Sequence, residues 1–189
     1  MTNRKATING RLTPVPDCTI TIPGAGGENA NGGRDPSIIQ LNNLPDISDS
    51  KSAVYNNEAI IGRSFPLYTY SHSADRSLSI QLHFFIIEKG DGRKNLSYLR
   101  MIQSAVYPRE GEGGAPYKPP PVCQIKCGKL LAEQAICAVL QSYSVKFPTE
   151  VAWEEETYCP FRFDVDTSWL IVYNSQDLPY QSRIVASGR

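Results

Sequence analysis

The chain has 189 residues, with 19 Lys and Arg against 19 Asp and Glu, and its formal net charge is zero at pH 7. This length suits one domain with irregular extensions, and the charge balance argues against nucleic-acid binding by bulk positive charge. The longest apolar runs fall far short of the roughly 20 residues that cross a bilayer, and because no apolar stretch follows the basic residues at the N-terminus, we expect a protein that folds in a cytoplasm and contacts no membrane.

The first third of the chain predicts short strands separated by flexible segments. Thr7–Leu12 and Cys18–Ile22 each have the composition of a short strand, and the prolines around them suit a sheet edge. Gly24–Pro36 is rich in glycine and lacks the Lys-Ser or Lys-Thr of a phosphate-binding loop, so we expect a mobile loop there. Ser37–Leu44 could be extended, and Asp46–Asn57 is polar and contains several turn formers, so both segments are predicted to be irregular.

The middle of the chain predicts two successive strands. Ala59–Tyr70 supplies strand-forming bulk, while Gly62 and Pro66 indicate a bulged or edge strand. A turn is predicted over Ser71–Arg76. The next strand, Leu78–Ile87, would then pair antiparallel with its predecessor across that short connection.

Leu78 to Val106 changes from a strand pattern to a helix pattern. The strand part alternates polar residues with five apolar ones, Leu78, Ile80, Leu82, Phe84 and Ile86. Asp91 and Gly92 are predicted to break the chain. The following apolar residues recur at three- and four-residue steps, namely Leu96, Leu99, Ile102, Ala105 and Val106. A strand therefore leads into a short amphipathic helix, which ends before Pro108.

The second half of the chain predicts long antiparallel strands. A Gly- and Pro-rich loop, Glu110–Pro121, precedes a strand over Val122–Lys126 and a hairpin turn over Gly128–Glu133. Ala135–Phe147 forms a longer strand whose apolar side changes after Leu140, a change typical of a bulge or twist.

The final strand, Phe161–Tyr173, has the clearest alternation in the chain. Its polar face carries Arg162, Asp164, Asp166 and Ser168, and the apolar side chains lie on the other face. The preceding loop contains three consecutive acidic residues, Glu154–Glu156, and the tail Asn174–Arg189 has no period and is expected to need a partner to become ordered.

These elements predict a mainly β protein with one α-helix, an antiparallel β-barrel or sandwich capped by the short helix and carrying extended loops and termini. The expected organisation is N-terminal strands with a flexible extension over residues 1–58, a β-barrel domain over 59–173, and a C-terminal tail over 174–189.

The cysteines and histidines indicate neither a metal site nor an enzyme. Five scattered cysteines favour reduced thiols, and on a strand Cys123 and Cys127 would lie about 13 Å apart, too far to share one ion. No G-x-S-x-G motif accompanies the two histidines, His72 and His83. We therefore expect no catalytic residue, cofactor or metal.

One alternative is a small carbohydrate-binding or carbohydrate-processing β-domain. Asp164 and Asp166 would lie about 6.6 Å apart on one strand face, a separation that a glycosidase pair allows. Trp153 and Trp169 would then supply aromatic surfaces for a sugar.

The order of hydrophobic and proline positions resembles the tube-fold proteins of contractile phage tails, and more narrowly the baseplate tube initiators that join the central hub to the tail tube. The similarity is carried by Ile60–Tyr68 before Ser77–Phe84, the amphipathic helix, Pro119–Ile125, Leu140–Phe147 and the closing strand. It covers roughly residues 59–173. Many relatives carry a peptidoglycan-binding module after the last strand, and Asn174–Arg189 is too short to hold one.

The resemblance implies a structural virion protein assembled in a host cytoplasm, without enzymatic activity. Its copies would form a ring, expected to be a hexamer, between adjacent tail-tube and baseplate-hub proteins. The implied channel wall is the polar face of the last strand, Arg162, Asp164, Asp166 and Ser168, past which DNA would move without specific binding. Acidic groups on that wall would repel phosphate.

Overall fold

The computed structural model describes residues 18–24, 37–41, 43–88, 90–108, 117–132 and 134–173. Within these ranges the chain is mainly antiparallel β-structure with a single helix, as the sequence predicts. The elements are β1 (Cys18–Ile22), β2 (Ser37–Gln40), β3 (Asp46–Ser50), β4 (Ala53–Glu58), β5 (Leu67–Ser73), β6 (Ser77–Phe85), α1 (Asp91–Val106), β7 (Cys123–Cys127), β8 (Ile136–Lys146) and β9 (Arg162–Ile171).

Seven of the strands form one sheet in the order β2-β1-β7-β8-β9-β6-β3, and β4 and β5 form a separate two-stranded ladder. The seven-stranded sheet takes β1, β2 and β3 from residues 1–58 and the other four strands from 59–173, so strands from both sides of that predicted boundary share one sheet. Strand β1 lies between β2 and β7, and its prediction as an edge strand is therefore wrong.

The large sheet is strongly curled. Its two edge strands, β2 and β3, are separated in sequence by residues 41–45 alone. Such a connection reaches at most about 22 Å, whereas seven strands in a flat sheet would place the edges about 29 Å apart. The sheet must therefore bend its edges toward each other, although the described residues form no ladder between β2 and β3 and the barrel stays open.

The hydrophobic core lies on one face of this sheet. Trp169 and Phe163 of β9 are its largest fully buried side chains, and the Phe163 ring stacks on Phe84 of β6 with centroids 5.0 Å apart. The indole N–H of Trp169 donates to Thr167 Oγ1 at 2.8 Å, and that hydroxyl donates to the Ile80 carbonyl at 2.7 Å. The buried polar atoms of this pair are thus satisfied, which avoids a desolvation penalty.

Helix α1 packs its predicted apolar stripe on the core, where Leu99, Ile102 and Ala105 are buried. The helix begins at Asp91, so the predicted break at Asp91 and Gly92 is wrong. Asp91 instead stabilises the start, because its carboxylate accepts hydrogen bonds from the backbone N–H groups of residues 87 and 88 at 3.2 and 3.0 Å. The helix ends before Pro108, as predicted.

The predicted irregularity of residues 37–57 is wrong, since this stretch contains β2, β3 and β4. The predicted partner of β6 is also wrong, because β6 pairs with β3 and β9, and β5 pairs with β4. The polar edge strands are ordered by distant partners, which local composition does not reveal.

The change of side within β8 is a bulge, as the sequence predicts. Leu140 pairs with Trp169 and Ser142 pairs with Ser168, so the ladder skips Gln141. Before the bulge the even-numbered residues are buried, and after it Tyr143 and Val145 turn toward the core.

Several predictions fall outside the described residues, namely those for Thr7–Leu12, most of Gly24–Pro36 and Glu110–Pro121, and the tail from Asn174. Helix α1, the one helix in the described part of the chain, is too short and too polar to cross a membrane.

Candidate functional site: a polar sheet face and a projecting hairpin

The four residues proposed to line a channel lie side by side on β9. The intervening side chains, from Phe163 to Trp169, are buried in the core, so the four residues Arg162, Asp164, Asp166 and Ser168 lie on the opposite side of the sheet. The sequence alternation therefore assigned the faces of this strand correctly.

The same surface continues across four adjacent strands, and we call this four-strand surface the polar face. One row consists only of serine, with Ser48, Ser79, Ser168 and Ser142 in register on β3, β6, β9 and β8. The next row holds Asp46, Gln81, Asp166 and Ser144, and the third places His83, Asp164 and Lys146 in register. Sequence reasoning missed the β3 part because that strand was predicted to be irregular, although Ser48 and Ser50 alternate with Ile47 and Asp49.

The carboxylates of the polar face are paired with cations of the same face. Lys146 Nζ lies 2.9 Å from Asp166 Oδ2, and Arg162 lies 3.6 Å from Asp164 Oδ2. His83 contacts Asp164 through Nδ1 at 2.6 Å and Asp46 through Nε2 at 3.3 Å. The three carboxylates of the face thus have three cationic partners when His83 is protonated, and one net negative charge remains when His83 is neutral.

The carbohydrate hypothesis loses one of its two tryptophans in the structure, because only Trp153 is exposed. Trp169 is 0% exposed and its N–H is bonded internally, so it cannot stack on a sugar. Asp164 and Asp166 are both engaged in ion pairs. Trp153 lies in the loop before β9, where its backbone is bridged to Pro160 and its side chain is 47% exposed. The predicted role of Trp169 is therefore wrong.

The β4–β5 hairpin projects beyond the sheet as an extension of the β3–β6 ladder. Every residue of β4 and β5 is exposed. The tip carries three large apolar side chains, with Ile61 fully exposed, Phe65 68% exposed and Ile60 42% exposed. An isolated two-stranded hairpin is only marginally stable in water, and an apolar tip of this kind is typical of a protein–protein contact.

One face of the hairpin is aromatic. Tyr55 and Tyr70 are cross-strand partners with ring centroids 5.8 Å apart, and the pair Asn57 and Tyr68 follows on the same face. Tyr side chains offer large contact areas with few rotatable bonds and are enriched at interfaces. His72 is also in β5, where its Nδ1 lies 3.1 Å from the Oγ of Ser71.

Four of the five cysteines are buried, and none of the five forms a disulfide. Cys127 pairs directly with Cys18 across β1 and β7, and burial together with the neighbouring Cys18 thiol raises its pKa to about 12. Among the described residues no group of His, Cys, Asp and Glu side chains is arranged to hold a metal ion.

A thiol titration of the folded protein with a water-soluble disulfide reagent should show one fast-reacting cysteine, Cys137, because it is the exposed one and a thiol must reach the reagent as a thiolate. The fast phase should vanish in Cys137→Ser. All five thiols should react once the protein is denatured, and a second fast thiol in the folded Cys137→Ser variant would contradict this arrangement.

Comparison with known proteins adds no assignment to this site. No model of a protein family matches the chain, and no match is found among curated proteins. The functional proposal therefore rests on the polar face, the hairpin and the sequence pattern.

Proposed function

We propose that this chain is a structural virion protein whose copies assemble into a ring of a phage tail tube or baseplate hub, in the manner of a tube initiator. The observation that carries the proposal is the polar face, a four-strand surface on the side of the sheet away from the core. As a channel wall it would be wetted and let DNA pass without specific binding. Its partners would be copies of itself, expected as a hexamer, and the adjacent tube and hub proteins.

The chemistry of the polar face suits a surface along which DNA slides. Serine side chains are short, so the serine row offers no protruding group to a passing duplex. Each cation that neutralises a phosphate adds salt-sensitive attraction, and here Lys146 and Arg162 already have carboxylate partners, Asp166 and Asp164. The pairing weakens attraction to phosphate without leaving a strongly repulsive wall.

The edges of the sheet and the hairpin support assembly with further copies. Strands β2 and β3 are the outer strands of the sheet, and unpaired strand edges are templates for pairing with another chain. A ring in which neighbouring sheets join would remove these edges, as closure does in a barrel. The exposed apolar tip of the hairpin would be buried against a neighbouring subunit.

The direct test is an electron cryomicroscopy map of the assembled protein. We expect a ring in which Asp166 and Ser168 face a central channel and the hairpin contacts another subunit. A map that places Asp164 and Asp166 in a contact between subunits would overturn the channel assignment, and a protein that remains monomeric at every concentration and in the presence of its tube and hub neighbours would overturn the ring.

Charge changes on the polar face should alter how assembled rings retain DNA. The double variant Lys146→Gln/Asp166→Asn removes one ion pair without changing net charge, and its rings should pass DNA as the unmodified rings do. Asp164→Lys/Asp166→Lys rings should form but hold DNA, with binding that weakens steeply as salt is raised. Asp166→Asn alone frees Lys146 and should give an intermediate effect. DNA retention that is equal in all four proteins, measured by co-sedimentation at several salt concentrations, would place this face outside the channel.

A further inference from the structure

His83 lies between two carboxylates that come from different strands. It is on β6, with Asp164 of β9 on one side and Asp46 of the edge strand β3 on the other. The contact from Nδ1 to Asp164 Oδ1 is 2.6 Å, and the contact from Nε2 to Asp46 Oδ2 is 3.3 Å. The His83 side chain is 16% exposed, whereas the Asp46 side chain is 78% exposed.

His83 can donate hydrogen bonds to both carboxylates in one protonation state only. A neutral imidazole has one N–H and one lone pair, and an ionised carboxylate only accepts hydrogen bonds. Donation to both Asp164 and Asp46 therefore requires the imidazolium form of His83. When the ring is neutral, one nitrogen must present a lone pair to a carboxylate, and that contact becomes repulsive.

The contact to Asp46 is the weaker of the two. It is the longer one, its carboxylate is largely solvated, and it lies on an edge strand that has a ladder on one side alone. Asp164 sits on an interior strand between β8 and β6, at 21% exposure and at the shorter distance. A neutral His83 would keep its N–H directed toward Asp164 and would lose its hydrogen bond to Asp46.

We propose that His83 is a pH-operated clasp, which in its protonated form ties the first residue of edge strand β3 to β6 and β9, and in its neutral form releases Asp46 and loosens that end of β3.

The charges around His83 determine whether the clasp closes or opens as the pH rises. Asp46 on β3 and Asp164 on β9 favour the imidazolium, while Arg162 competes for Asp164 at 3.6 Å and Lys146 on β8 lies in register with Asp164. Partial burial lowers the pKa of His83, but the hydrogen bonds and charges of Asp164 and Asp46 outweigh it and raise the pKa above its ordinary value. The clasp is therefore fully closed below the pKa of the unfolded chain and opens as pH rises through the higher pKa of the folded state.

The clasp acts on a strand that leads directly to the hairpin. After β3 ends at Ser50, only Lys51 and Ser52 precede β4, the first strand of the hairpin. Asp46 is at the end of β3 farther from the hairpin, and the ion pair between Arg76 and Asp49 holds the nearer end. The loosening therefore concerns the first residues of β3. The inference concerns the single subunit and stands whether or not the chain forms a ring.

Nuclear magnetic resonance can follow the clasp at its titrating group. The chain has two histidines, so His72→Gln assigns the remaining imidazole signal to His83. We expect the pH midpoint of the change in that signal to lie above the ordinary histidine pKa. The midpoint should fall in Asp46→Asn, which keeps the shape of the side chain and removes its charge. A His83 midpoint unchanged by Asp46→Asn would overturn the proposal.

Amide hydrogen exchange then reports whether β3 responds. After correction for the intrinsic pH dependence of exchange, the protection of the β3 amides should fall by about 1.5- to 5-fold as pH rises through the His83 midpoint, the range expected for losing a partly exposed ion pair. The fall should be absent in Asp46→Asn and retained in His72→Gln. Since Asp46 is exposed, its variant should fold even if His83→Gln does not. Equal pH dependence in the unmodified protein and Asp46→Asn would overturn the clasp.

Discussion

Ile102→Ala is expected to lower the free energy of unfolding by about 2–5 kcal/mol, the usual cost of truncating a large buried aliphatic side chain. Ile102 is 0% exposed and lies on the stripe by which α1 covers the core. Removing it leaves a cavity between the helix and the sheet, and because neighbouring Asn95 also ties the helix to the Phe85 carbonyl at 3.0 Å, the helix is not free to collapse onto the gap. Leu99→Ala should behave similarly.

Chemical denaturation provides the measurement, with thermal unfolding as a second observable. At this chain length each kcal/mol corresponds to roughly 2–4 °C in Tm. Arg100→Ala is the matched control, since Arg100 lies on the exposed side of the same helix and its change should stay within about 0.5 kcal/mol. Unchanged stability in both Ile102→Ala and Leu99→Ala would show that the stripe is not part of the core.

The combined change Ile61→Ser/Phe65→Ser is expected to abolish assembly without lowering the Tm of the single subunit. Ile61 is fully exposed and Phe65 is 68% exposed, so little contact within the subunit is lost. In an assembly each would be buried, and burial of a large apolar side chain is worth about 1.5–3 kcal/mol. Each subunit would lose the binding free energy of two such side chains, and the loss would be repeated at every contact of the ring. An assembly of moderate affinity cannot form after a loss of this size.

Light scattering and electron microscopy of the purified variant test this expectation. Leu130→Ser is the matched control, because Leu130 is an exposed apolar residue in the turn after β7, remote in sequence from the hairpin. It should leave assembly intact. Rings that form normally in the tip variant, or a Tm that falls as far as in a core variant, would show that the hairpin tip is not the contact surface.

The elements predictable from the sequence are those whose periodicity reflects one buried face. The alternation from Leu78 to Phe84, the helical stripe around Ile102 and the change of side at Leu140 all follow from packing against a single core. Strands β3 and β4 carry few apolar residues, and their conformation is fixed by ladders to residues 27 to 35 positions away for β3 and 9 to 20 positions away for β4. The local sequence pattern therefore does not identify these partner strands.

The candidate site was predictable in one strand only. Alternation alone places Asp164 and Asp166 on a polar face, but whether a carboxylate is free or paired depends on which strands lie beside it. The contacts of Asp164 with His83, and of Asp166 with Lys146, arise from the β6–β9 and β8–β9 registers. The β8 register in turn depends on one skipped residue in a bulge. The change of apolar side after Leu140 indicates that bulge but not which residues of β9 lie opposite.

The pairing of β1 with β7 has a consequence for how the chain folds during synthesis. Cys18 and Cys127, which are direct partners, are 109 residues apart in the numbering. At a translation rate of about 5–20 residues per second, β1 leaves the ribosome about 5–20 s before its partner is made. Until then Ile20 and Ile22 have only the short strand β2 to pair with, and contacts this distant in sequence form slowly. Of the ladders in the sheet, the one between β1 and β7 joins the residues farthest apart in the sequence. A nascent chain therefore exposes that edge of β1 to mispairing for longer than the edge of any other strand.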